Sequence, residues 1–120
     1  KLYLINDTPC IDFSFSLALV DSLPAQFSTL TFYLDPNQVK GELKLFRGKL
    51  TESFVPVGMN GAKTVNAILK DKGIPAFQRL DWPVLYVEDQ PIGIPGVSLN
   101  RAFTPNPSLP SYLKVTFVAC

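Results

Sequence analysis

Residues 11–17 alternate without interruption: Ile11, Phe13, Phe15 and Leu17 are apolar, while Asp12, Ser14 and Ser16 between them are small and polar. A period of two sends successive side chains to opposite faces, so this stretch predicts a strand with one face buried and the other solvated. Residues 29–34 and 113–117 keep the same rhythm, and residues 43–47 form a further strand of the kind. Residues 84–87 and 92–94 flank Glu88-Asp89-Gln90-Pro91, which predicts a hairpin with Glu88 and Asp89 as its polar tip. Turn formers separate the first two strands at residues 21–25, and residues 104–110 carry three prolines and must be loop, because proline cannot donate to a strand ladder. No internal repeat is present.

One segment departs from the two-residue rhythm. In residues 62–72, Val65, Ile68 and Leu69 recur at i, i+3 and i+4, which predicts a three-turn amphipathic helix with Asn60 near its start and Gly73 as its stop. At ~100° per residue, Lys63, Asn66 and Lys70 fall together on the side opposite that apolar stripe. Pro75 then opens a short helical turn carrying Phe77 and Arg79, ended by Trp82-Pro83. The pattern predicts a single α+β domain over residues 1–120, mainly β.

A chain of 120 residues leaves room for one domain only, and 47% hydrophobic residues with nine Phe can build its core. Such a domain buries roughly two thirds of the surface its unfolded chain exposes, so it needs no staple to fold. Cys10 and Cys120 stand at opposite ends and there is no His, so no zinc-ligand spacing exists. The two thiols read as reduced, with a disulfide joining the ends as the alternative in a secreted protein. No apolar run approaches the ~18 residues of a membrane span, and the N-terminus lacks signal-peptide order. The expectation is a cytoplasmic domain with no membrane contact, and Lys1 in place of Met suggests a piece of a longer protein.

The net charge of +1 conceals a strong asymmetry. Residues 1–39 hold one base and four acids, and residues 80–120 hold two bases and three acids. Residues 40–79 hold eight bases, Lys40, Lys44, Arg47, Lys49, Lys63, Lys70, Lys72 and Arg79, against Glu42, Glu52 and Asp71. That block, with a net of five positive charges, contains the predicted helix and points to a local anionic partner. Placed in a first helical turn, Lys63 would add a cation where the helix dipole is already positive, and an anion would relieve it. The approach through Gly58-Met59-Asn60-Gly61 could bring backbone N–H groups towards such an anion.

Catalytic patterns are missing. Residues 58–64 are not a P-loop, because two residues rather than four separate the glycines and Ala62 displaces the lysine. No GxSxG or GxGxxG occurs, and without His the commonest general base near neutral pH is gone. An independent hydrolase is therefore disfavoured.

The ordered series Leu43-Lys44-Leu45-Phe46-Arg47, Phe54-Val55-Pro56-Val57-Gly58-Met59-Asn60-Gly61-Ala62-Lys63, Ile68-Leu69-Lys70-Asp71-Lys72-Gly73-Ile74-Pro75, Arg79-Leu80-Asp81-Trp82-Pro83-Val84-Leu85 and Pro91-Ile92-Gly93-Ile94-Pro95-Gly96-Val97 resembles the C-terminal domain of tRNA(Ile)-lysidine synthetase. The resemblance covers about residues 32–100; residues 1–31 and 104–120 carry no matching motif. It implies a β-sandwich-like fold with one amphipathic helix and a short helical turn, shared with a domain of the phenylalanyl-tRNA synthetase beta subunit. It also implies an ATP-dependent parent ligase, with magnesium, that attaches lysine to the wobble cytidine of an isoleucine tRNA. That chemistry belongs to an N-terminal catalytic domain with a Ser-Gly-Gly-x-Asp-Ser loop, which this chain lacks. The excised domain would carry no catalytic site and no cofactor, and would clamp the tRNA acceptor stem.

Carried over residue by residue, the resemblance makes Lys63, Lys70, Arg79 and Arg47 RNA-binding candidates, and Asn66 joins them from its place on the same helix face as the two lysines. Arg47 shares phase with Leu43 and Leu45, so it either touches RNA or is half-buried and paired with Glu52 or Asp81. The family often has Gly-Asp before its Pro-x-Gly turn where this chain has Thr51-Glu52. Trp82 reads as core rather than as a base-stacking platform. Such a surface would meet duplex RNA through phosphates and shape. The alternative is a structural or protein-interaction domain, or a homodimer, that uses its Phe-rich strands as the contact face.

Overall fold

The computed structural model describes residues 13–47 and 49–119; Ile11, Asp12, Cys10 and Cys120, and with the last two any pairing between them, lie outside the described residues. In chain order the elements are β1 (Phe13–Val20), β2 (Thr31–Leu34), a 3-10 turn (Pro36–Gln38), β3 (Leu43–Arg47), β4 (Ser53–Phe54), β5 (Lys63–Thr64), α1 (Val65–Asp71), α2 (Ala76–Arg79), β6 (Pro83–Val87), β7 (Gln90–Ile94), β8 (Ser98–Leu99), a second 3-10 turn (Arg101–Phe103) and β9 (Tyr112–Ala119). The strands form a sheet β1-β9-β2, a sheet β3-β6-β7-β8 and the small pair β4-β5. All pairings are antiparallel.

Strand β6 explains the layering. Every residue from Pro83 to Val87 is buried, and alternate side chains enter different cores. Leu85 and Val87 join Phe13, Phe15, Phe32, Leu34, Leu45 and Phe117 between the two large sheets, whereas Val84 and Tyr86 join Val65, Ile68 and Leu69 of α1 on the opposite face. A strand covered on both faces reads as a continuous apolar run, and Val84-Leu85-Tyr86-Val87 is one. The molecule is thus a sandwich of two sheets with the helix as a third layer.

The first sheet is built from the ends of the chain. β9 lies in its centre, paired along eight residues with β1, from Phe13 opposite Ala119 to Val20 opposite Tyr112, and along four with β2. Phe32 and Phe117 meet edge to face with centroids 5.0 Å apart. The alternation in β1 buries Phe13 and Phe15 as predicted, but Leu17 and Leu19 on the same face are exposed at the edge of the sheet, although Val115 and Leu113 opposite them on β9 reach the core. The expectation that Leu17 completes the buried face is corrected. The proline-rich loop is pinned by buried Tyr112, whose hydroxyl donates to the Asn106 carbonyl at 2.7 Å and accepts from the Leu109 N–H.

The hairpin between β6 and β7 has Glu88-Asp89 at its tip as predicted, but its strands begin closer to the turn, with Val87 opposite Gln90. Glu88 adopts φ 53°. The predicted helix is shorter than its spacing suggested: α1 has seven residues rather than three full turns, and its N-cap is Thr64 rather than a residue near Asn60. The reason is that residues 63–64 pair with residues 53–54 as β5 against β4. Its stop is as predicted. Gly73, at φ +81°, donates to the Lys70 carbonyl while the Ile74 N–H bonds to the Leu69 carbonyl, the paired bonds of a Schellman cap.

Candidate nucleic-acid interface

The fold distributes the basic block over several elements. At the start of α1 the helix is closed by the protein's own acceptors. Thr64 Oγ1 accepts from the Ala67 N–H at 3.1 Å, the Val65 N–H donates to the Glu52 carbonyl at 2.7 Å, and the Asn66 N–H donates to the Leu50 carbonyl at 3.0 Å. The first three donors of the helix are therefore spent, and an anion would find none of them free. The glycine-rich approach is a tight turn, with Gly58 at φ +82° and the Met59 N–H bonded to the Pro56 carbonyl. An anion seated on the helix start, as expected from the glycines, is thus corrected.

Lys63 changes place for the same reason. It belongs to β5, opposite Phe54, not to the first helical turn. Its ammonium group bonds the Asp71 carboxylate at the far end of α1. The dipole repulsion expected for it does not arise.

Glu52 serves the local structure twice. Beyond its carbonyl bond to α1, its carboxylate accepts from the Tyr86 hydroxyl, and Tyr86 in turn stacks on Phe46 with centroids 4.4 Å apart. Burial first, then the hydrogen bond and charge of Glu52, push the Tyr86 phenol above its ordinary range.

Arg79 joins the two helices. Its Nε donates to the Ile74 carbonyl at 2.8 Å and its Nη1 to Asn66 Oδ1 at 3.3 Å. Asn66 and Lys70 are one turn apart on α1, so Arg79, Asn66 and Lys70 share one side of the helix pair. Two residues beyond Arg79, Asp81 pairs with Arg47 at the end of β3, Oδ1 to Nη1 at 2.9 Å. Of the two partners foreseen for Arg47, the structure selects Asp81. Trp82 donates from Nε1 to the Pro95 carbonyl at 3.1 Å and packs on both cores, so its ring is part of the interior.

Five candidates were legible in the sequence; the structure gathers Asn66, Lys70 and Arg79, sets Lys63 against Asp71, and gives Arg47 to Asp81. Lys70 and its neighbour Lys72 are exposed and have no ion-pair partner among the described residues. Lys72, absent from the sequence-derived set, is the C-cap of α1, where the negative end of the helix dipole favours a cation. Its position one residue before the Gly73 stop was the signal that could have found it.

A groove of about 490 Å³ opens elsewhere, lined by Leu23, Phe27, Phe32, Val57, Val97 and Leu99 among others, with no charged side chain in its wall. Among the described residues no group of three or more His, Cys, Asp or Glu could hold a metal ion, and no helix is long and apolar enough to cross a membrane.

Comparison with known proteins fits this geometry. The family model described as the TilS substrate C-terminal domain matches residues 43–112. A curated tRNA(Ile)-lysidine synthase of Symbiobacterium thermophilum is 30% identical over 95 residues, which is 79% of this chain and 20% of the relative. The chain therefore spans about a fifth of the length of the curated relative it matches. Among solved structures, a crystal structure of a TILS C-terminal domain superposes with a TM-score of 0.79 at 20% identity, covering 98% of this chain and 93% of that one. An N-terminal fragment of the phenylalanyl-tRNA synthetase β-subunit from Pyrococcus horikoshii gives a TM-score of 0.61 at 15% identity, covering 72% of this chain and 27% of that one. These two likenesses bear out the mainly β fold expected from the resemblance.

Proposed function

The chain belongs to the TilS substrate C-terminal domain family, and from that premise we propose that it is the RNA-holding domain of a tRNA(Ile)-lysidine synthetase. In this reading it grips the acceptor stem of an isoleucine tRNA while a separate N-terminal domain of the cytoplasmic parent ligase uses ATP and magnesium to attach lysine to the wobble cytidine. The observation that carries the reading is the pair of exposed cations Lys70 and Lys72 at the end of α1, unpaired among the described residues, on the element that also presents Asn66 to Arg79. A-form RNA hides its base edges in a deep major groove, so flexible ammonium groups meeting phosphates suit a stem better than base readout does. Arg79 keeps Nη2 without a partner among the described residues and can add a phosphate contact from a position fixed by its other two bonds. Lys63 contributes when an RNA phosphate competes with Asp71, and Arg47 when one competes with Asp81.

The test is a salt titration of isoleucine tRNA binding to the chain. With three to five phosphate contacts, the logarithmic slope against salt should be about −2 to −4.5, at roughly −0.7 to −0.9 per contact. Lys70→Glu with Lys72→Glu should make it shallower by about 1.5 or more. Binding indifferent to salt, or unchanged in that double variant, refutes the reading.

A second reading rests on Leu17 and Leu19, exposed by 47% and 71% on an edge strand. They suit a docking face for another part of the parent protein or for a second copy. A stable homodimer in light scattering that dissociates on Leu19→Lys while tRNA binding is absent would favour it.

A further inference from the structure

Phe77 is 74% exposed, the highest value for a large apolar side chain among the described residues. Leu80, three residues on and so on the same side of the turn, is 63% exposed. Helix α2 buries none of its residues. What holds it is polar: Arg79 bonds Ile74 and Asn66, and the Gln78 N–H donates to the Pro75 carbonyl. Phe77 is therefore presented outwards by a fixed turn that does not need its ring for packing.

The other aromatic candidates are committed elsewhere. Trp82 is held by the Pro95 carbonyl and touches Phe13 with centroids 5.8 Å apart. Phe27 rests edge-on against Tyr33. Phe77 makes no ring contact among the described residues. The adjoining helix α1 carries the exposed Lys70 and Lys72, while the acids nearest in sequence, Asp71 and Asp81, are paired with Lys63 and Arg47. An occupant of this face must offer a flat apolar surface together with negative charge. Nucleotides have both. Two side chains are also far short of the ~800 Å² per partner that a stable protein interface buries, whereas a single aromatic suffices to stack one base.

We propose that Phe77, backed by Leu80, is a stacking platform for an unpaired nucleobase that adjoins the RNA stem held by Lys70 and Lys72. This rests on the RNA-binding reading above and adds to it a single-stranded component of the ligand.

The experiment uses the chain with two hairpin RNAs of the same stem, one blunt and one with a short single-stranded 3′ extension carrying 2-aminopurine at its first unpaired position. The extended RNA should bind about 5 to 150-fold more tightly than the blunt one, the range for one stacked base, with quenching of the 2-aminopurine. Phe77→Ala should bring the extended RNA down to the blunt affinity with the salt slope unchanged, and Phe77→Trp should keep the preference. Lys70→Glu should weaken both RNAs. Urea unfolding of Phe77→Ala should match the unaltered chain, because the ring is exposed. Equal affinity of the unaltered chain for the two RNAs, or a preference that survives Phe77→Ala, overturns the stacking platform while leaving the stem-binding reading intact. Binding to neither RNA removes the stem-binding reading itself and this inference with it. Self-association that Phe77→Ala abolishes would assign the face to a second copy and overturn the proposal.

Discussion

Arg79 is both a lock between two helices and an RNA-binding candidate, and substitution can separate the roles. Arg79→Ala removes the 2.8 Å bond to the Ile74 carbonyl and the 3.3 Å bond to Asn66. Hydrogen bonds to charged groups contribute about 1.5–3 kcal/mol each. The site is only partly buried and the second bond is long, so the lower end applies to the first and little to the second. The expected loss is about 2 kcal/mol, or roughly 6–10 °C in melting temperature for a domain between the two size classes for which the conversion is known. Arg79→Lys keeps the charge but not the planar fork, and should lose about 1 kcal/mol. Urea unfolding followed by the fluorescence of Trp82, three residues away, measures both. A double-mutant cycle with Asn66→Ala should return a coupling of about 0.5 kcal/mol. In the salt titration, Arg79→Ala should lose the slope of one contact, about 0.7–0.9, and Arg79→Lys should keep it. An Arg79→Ala variant within about 0.5 kcal/mol of the unaltered chain would refute the lock; a full salt slope in that variant would remove Arg79 from the RNA surface.

Two further outcomes follow from the packing. A Cβ on Gly93 would lie 2.8 Å from the Ser98 carbonyl oxygen and 2.8 Å from the Phe32 ring. The Ser98 backbone is fixed by strand pairing, so Gly93→Ala should cost about 2–3 kcal/mol in urea unfolding; a loss below about 0.5 kcal/mol would show that the sheets can shift there. The Tyr86 phenol is raised above its ordinary value, chiefly by burial and then by Glu52. The unfolded chain gives up that proton near pH ~10 while the folded one keeps it, so the unfolded state binds fewer protons and stability must fall as pH rises beyond that point. Tyr86→Phe should remove this alkaline component, as thermal melts between neutral pH and pH ~11 would reveal; an unchanged alkaline slope would show that the Tyr86 phenol is not its source.

Much of the local structure was legible in the residues. The period of two in residues 43–47 and the polar tip at Glu88-Asp89 specified strands and a hairpin, because side-chain alternation and turn chemistry act over a few residues. The stop at Gly73 was equally plain, since only a residue that tolerates positive φ closes a helix in that way. The start of α1 was not. Its apolar spacing extended the helix back to residue 62, and what ends it at Thr64 is a partner strand ten residues earlier, together with the carbonyls of Leu50 and Glu52.

The candidate site shows the same division. The sequence by itself determined that the positive charge is concentrated in residues 40–79 and that Asn66 and Lys70 share a helix face, since both follow from composition and a 3.6-residue period. Only the tertiary structure decided which of those charges remain available. Lys63 meets Asp71, Arg47 meets Asp81, and Arg79 is drawn to Ile74 and Asn66, while Lys70 and Lys72 stay unpaired among the described residues. Nor could the sequence show that β1 and β9, from opposite ends of the chain, lie side by side. Pairing across such separations depends on the closure of the whole chain, and no local pattern of residues encodes it.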